Sequence, residues 1–137
     1  MNEIANLTTL QRLILALLEE AGEEDVVCLT NTIKPGEYCG NPQEIEAITS
    51  ALAGLIDADL VRTAISRDLI SGILVPQSMP ESLVSVQNLT LFFQWSSTEK
   101  LWHWSGRAPL PDVVATERGL AAARKVLAKD GWPADLG

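Results

Sequence analysis

Val113-Val114-Ala115-Thr116-Glu117-Arg118-Gly119-Leu120, residues 113–120, carries a β-branched run straight into an alanine-rich segment. Thr116 is placed to cap a helix over about 116–130, with Leu120, Ala123 and Leu127 inward and Gly131 as its stop. Arg124, Lys125 and Lys129 lie towards its C-terminal half, where cations suit the negative end of the helix dipole. A strand that feeds directly into a closing helix is the expectation here, and the upstream segments tell what it closes.

The first of these is an amphipathic helix over about 8–22. Leu10, Leu13, Ile14, Leu17, Leu18 and Ala21 recur at helical period, Thr8 and Gln11 form a capping box, and Gly22 ends the run. Glu23-Glu24-Asp25 then reads as a solvated loop. Asp25 can cap a short helix over 26–33, although Val26, Val27 and the threonines suit a strand equally. After a Lys34-Pro35-Gly36-Glu37 turn, Asn41-Pro42-Gln43-Glu44 combines an N-cap, a proline at the first helical position and a capping-box glutamate. It opens a helix over 41–58, with Ile45, Ile48, Leu52, Leu55 and Ile56 buried.

Three helices, then strands, then a Thr-x-x-Gly helix start resemble the winged helix-turn-helix regulators of the MarR and PadR families, over roughly residues 8–131. The resemblance implies an α+β domain spanning 1–137 in which the third helix reads the major groove. It also places Asp59 of Asp59-Leu60-Val61 where the family commonly has a left-handed glycine, a conformation aspartate tolerates better than most residues. Residues 62–88 exceed a tight wing, so they form an insertion or an enlarged wing. Within them 68–75 fits a strand or a short helix, and Pro76 and Pro80 bracket a loop. The aromatic runs on either side of Ser96–Lys100 predict a β-hairpin over about 89–104.

Composition sets the outer limits. At 137 residues, 47% apolar and 20% charged, the chain has the size and make-up of one folded domain. No apolar run reaches the about 18 residues of a membrane span, and Met1-Asn2-Glu3-Ile4 lacks a basic leader, so a cytoplasmic location is expected. Cys28 and Cys39 are expected as reduced, partly buried thiols rather than a disulfide. The Asn-x-Thr triplets at Asn6 and Asn88 read as chance.

The net charge of −8 is unevenly spread: residues 1–59 carry −9 and residues 60–137 carry +1. The predicted reading helix has no Lys or Arg and bears Glu44 and Glu46 near its leading end. Phosphate contacts supply most non-specific DNA affinity, so this helix repels what it would have to grip. A DNA-binding role would rest on Lys34, Asn41, Gln43, Thr49, Arg62, Arg67 and Lys100.

Catalytic motifs are wanting. No phosphate loop, nucleophile elbow or HExxH occurs, and His103 between two tryptophans reads as a polar strand position. The acidic run lacks the spacing of a calcium loop, so no metal or cofactor is expected. Trp102 and Trp104 share a strand face, and Phe92 and Phe93 cannot both face one core, so an aromatic surface is either covered internally or left for a partner.

The sequence thus favours a non-enzymatic adaptor or regulatory module that binds protein, including a copy of itself. Phe92, Trp95, Trp102 and Trp104, with Glu19, Glu20, Glu23 and Glu24, are its expected interface. A MarR/PadR-like regulator is the alternative, and an acidic mimic of nucleic acid the third reading.

Overall fold

The computed structural model describes residues 6–34, 37–66 and 74–130. Along them run α1 (Thr9–Ala21), β1 (Glu23–Asp25), α2 (Val26–Ile33), α3 (Pro42–Asp57), β2 (Val61–Ser66) and β3 (Leu74–Pro76). They continue with α4 (Met79–Gln87), α5 (Leu89–Phe92), β4 (Phe93–Ser96), β5 (Leu101–Trp104), β6 (Asp112–Ala115) and α6 (Glu117–Asp130). Four strands form an antiparallel sheet in the order β1-β6-β2-β3, and β4 and β5 pair separately as a hairpin. The fold is mixed α+β.

The first three helices start where their caps direct. Thr8 and Gln11 close the box on α1, Gly22 ends it at φ 83°, Asp25 accepts the Cys28 N–H at 2.7 Å, and Asn41 and Glu44 box α3. The Glu23–Asp25 run is a strand, not a loop. It pairs with β6, Asp25 opposite Asp112, and its carboxylates line an edge of the sheet, where charge discourages further strand pairing.

The residues 113–120 form a joint. Asp59 takes φ 63°, and beyond it the Leu60 carbonyl accepts the Thr116 N–H at 2.9 Å while the Asp59 carbonyl accepts the Thr116 hydroxyl at 2.6 Å. Thr116 also caps α6 through the Gly119 N–H. A Cβ on Gly119 would lie 1.8 Å from the Leu60 oxygen, so only glycine lets α6 cross here. That crossing rotates the helix: Gly119, Ala122, Ala123 and Val126 are buried, while Leu120 and Leu127 are only half-buried. The expected inward set is corrected accordingly.

Between β2 and β6 the chain departs most from expectation. Ser78 and Glu81 form a capping box that starts α4, and Leu89–Phe92 is a helical turn rather than the first half of the hairpin. Ser82, Val86, Leu89 and Phe93 are buried at helical spacing, which sets their side by period 3.6 despite strand-like composition. The hairpin is therefore confined to residues 93–104. Of the predicted 68–75 element only Leu74 onward is described, as β3. Both cysteines are free and exposed, which corrects the partly buried placement.

Candidate protein-interaction surface

β4 and β5 place four aromatic rings on one face, because Trp95 stands opposite Trp102 and Phe93 opposite Trp104. Edge-to-face packing joins them, with Trp95 and Trp102 centroids 5.3 Å apart and Phe93 and Trp104 5.7 Å apart. That face turns inward. Trp102 is 5% exposed and Phe93 is buried with it, so Trp102 cannot be an interface residue as the sequence suggested.

The hairpin is locked onto the helices by polar contacts. Asn31 of α2 receives the Trp102 N–H at 3.1 Å and gives its own amide to the Trp102 carbonyl at 2.9 Å, imitating a neighbouring strand. The Trp102 indole donates to Glu44 at 3.3 Å. Trp95 fills the space beside Gly40, where a Cβ would meet its ring at 2.5 Å.

Glu44 closes the other side of this joint. Its carboxylate accepts N–H bonds from Cys39, Gly40 and Asn41 at 2.9–3.1 Å. The Glu44 carboxylate thus sits at the entry to α3, where its negative charge opposes a phosphate. The same carboxylate and burial push the Tyr38 hydroxyl up to about 12, with burial the larger cause, and that hydroxyl donates to the Thr30 carbonyl.

The DNA-contact candidates do not converge. Gln43 and Asn41 lie at the leading end of α3 and Arg62 beyond its other end, about 20 Å away at 1.5 Å per residue. Arg62 is mostly buried and engaged, bonding Asp59 at 2.5 Å and the carbonyls of Ile56 and Val61. The Thr49 hydroxyl is buried and has no partner among the described residues, so it reads no base edge. Lys34 ends α2, Lys100 sits at the hairpin turn with φ 56°, and Arg67 lies outside the described residues. The solvent side of α3 is formed by Gln43, Glu46, Ala47, Ser50 and Asp57.

Phe92 and Trp104 are different. Half-exposed, with centroids 5.5 Å apart, they form one wall of a groove of about 280 Å³. Ile65, Val84, Ala108, Pro109 and Pro111 complete its apolar lining; Gln77, Ser85 and Asn88 are its polar groups. Gln77 is held by the Thr63 and Ser85 hydroxyls at 2.5 and 3.0 Å, and the Trp104 indole by the Ala108 carbonyl at 2.8 Å, so the walls are pinned. Leu91, 62% exposed, and Val84, 57% exposed, project from the adjoining helices. Neither stands out in the sequence, where 89–92 fits the start of the hairpin and Val84 falls in the 62–88 insertion or enlarged wing.

Glu19, Glu20, Glu23 and Glu24 do not line this groove. Glu19 pairs with Arg124 at 3.8 Å, Glu20 is exposed, and Glu23 and Glu24 lie on β1. Glu24, Asp25 and Cys28 offer ligand atoms within 4.8 Å of one another, but Asp25 caps α2 and Glu24 bonds the Cys28 thiol. That bond, then burial, raises the thiol's pKa, disfavouring the thiolate. Asp112 is likewise raised, first by burial and then by Asp25, Glu23 and Glu24. No described helix is long and apolar enough to cross a membrane.

No protein-family model matches the chain, and neither does any curated protein or solved structure.

Proposed function

We propose that the chain is a non-enzymatic protein-contact module of winged-helix-like build, working through the groove between α4, β2 and the end of the aromatic hairpin. The observation that carries this reading is the open apolar groove of Phe92, Trp104 and Val84, its walls already pinned before any partner arrives, with exposed Leu91 on the same helical turn as Phe92. Exposed aromatic and aliphatic residues on a preformed surface are what protein interfaces anchor on. The polar lining, Gln77, Ser85 and Asn88, is amide and hydroxyl, suited to hydrogen-bonding a peptide backbone rather than to acid–base work. In support of the build, α1, α2 and α3 come first, strands follow and α6 closes the chain, which is the succession that the MarR/PadR resemblance implies.

DNA recognition is the second reading, favoured by that succession and opposed by α3. Its exposed side carries Glu46 and Asp57 and no cation, and Glu44 occupies its N-terminus. Two selections separate the readings. In a randomised duplex DNA pool at low and moderate salt, we expect no sequence enrichment. From a displayed-peptide library, we expect peptides that bind the wild type and lose binding to Leu91→Asp. Salt-sensitive, sequence-enriched DNA binding with no groove-dependent peptide would overturn the proposal.

A further inference from the structure

We infer that the occupant of this groove is a second copy of the chain, set antiparallel to the first about a two-fold axis that crosses the groove near Ile65. The inference rests on the protein-contact reading above and adds the partner and its orientation.

The groove is longer than the Phe92–Trp104 pocket. A second hollow, lined by Ile65, Val75, Pro76, Gln77 and Glu81, shares Ile65 and Gln77 with the first, so the two adjoin, and together they are the trough meant below. Its ends carry opposite charges. At one end Arg107 lies 6.0 Å from the centre of the Phe92 ring and donates to the Leu91 carbonyl at 2.8 Å. At the other, Glu81 caps α4 through the Ser78 N–H with its side chain exposed. Between them the lining is uncharged. A two-fold axis through the middle of such a trough sets each Arg107 against the other copy's Glu81, since isologous contacts are reciprocal.

Shape and charge point to the same partner. Val84 in the lining and Leu91, on the helical turn that carries Phe92, are exposed, so each copy offers apolar projections as well as a hollow to receive them. The net charge of −8 comes from residues 1–59, while the trough is built from the half of the chain that carries +1. The trough is a place where two copies meet without opposing like charges, and the end charges select antiparallel over parallel alignment.

Sedimentation velocity over a concentration series tests this on the full chain. The wild type is expected to dimerise at micromolar concentration, and Val84→Asp and Leu91→Asp to remain monomeric with unchanged circular dichroism. Arg107→Glu and Glu81→Arg should each weaken self-association by about tenfold, because each reversal turns two reciprocal attractive pairs into repulsive ones. Mixed together, the two reversed proteins should form a heterodimer tighter than either homodimer, because both cross-pairs are then attractive. A wild type that stays monomeric to high concentration, a dimer indifferent to Leu91→Asp, or a mixture no tighter than its parts would overturn the inference. Groove-dependent peptide binding by a monomeric wild type would sink the second copy while leaving the protein-contact reading intact. Loss of both would remove both.

Discussion

The outer side of α3 and the trough beside α4 both face solvent, and they are built in opposite ways. On α3 the buried side is apolar and the outer side shows Gln43, Glu46, Ala47, Ser50 and Asp57, while Glu44 folds back to accept the amides of Cys39, Gly40 and Asn41 that lead into the helix. Beside α4 the order is reversed. Ser82 and Thr63 are buried and bonded to each other through the Thr63 N–H at 3.0 Å, while Val84 and Leu91 are left outside. A surface that has met its own hydrogen-bonding needs is finished, whereas one that leaves leucine and valine in water lowers its free energy by meeting a partner, by roughly 25 cal/mol for each Å² of apolar area covered. Position in a familiar succession of helices therefore says less about function than where the polar and apolar groups end up.

The largest effect that should sharpen this contrast separates the two ends of the hairpin. Trp102→Ala removes a core ring and its indole bond to Glu44, leaving only the backbone pairing with Asn31, and should cost about 3–5 kcal/mol in chemical denaturation. Trp104→Ala, at the open end, should cost less than half as much while abolishing association. Equal losses of stability would show that the two ends do not differ.

Next comes Glu44→Ala, which frees three backbone amides and the Trp102 indole. It should destabilise by about 2 kcal/mol and unlock the joint between hairpin and α3, seen as faster amide exchange at Cys39–Asn41. Unchanged exchange there would mean that Glu44 does not hold the joint.

Smaller still is Asp112→Asn, on the acidic sheet edge. Because burial and the facing carboxylates raise the folded-state pKa of Asp112 above its unfolded value, the protonated form is the stabilising one. Its contribution is present below the unfolded pKa and is lost as pH rises through the folded one. Asp112→Asn should then raise stability at neutral pH by less than about 1 kcal/mol, with the gain vanishing below about pH 4. A destabilised variant at neutral pH would contradict the repulsion across β1 and β6.

The first half of the fold was legible because its signals are local. Thr8 with Gln11, and Asn41-Pro42 with Glu44, declare helix starts within four residues. The same signal, Ser78-Met79-Pro80-Glu81, opens α4 and was passed over, since two nearby prolines suggested a loop although Pro80 stands in the first turn, where proline is tolerated. Leu89–Phe92 misled for another reason. Its aromatic and β-compatible composition favours strand, and tertiary burial of Val86, Leu89 and Phe93 at helical period overrode it. The surface suffered most. Trp102 and Trp104 share a strand face, as read, but which of them stays in water depends on Asn31 and Glu44, 71 and 58 residues away. No spacing rule carries that information.

Sedimentation velocity of the wild type beside Leu91→Asp and Ser50→Asp puts the two surfaces in direct competition. Association in the wild type and in Ser50→Asp, lost in Leu91→Asp, is the predicted result. Association that survives Leu91→Asp and fails in Ser50→Asp would contradict it and return α3 to the centre of this protein's function.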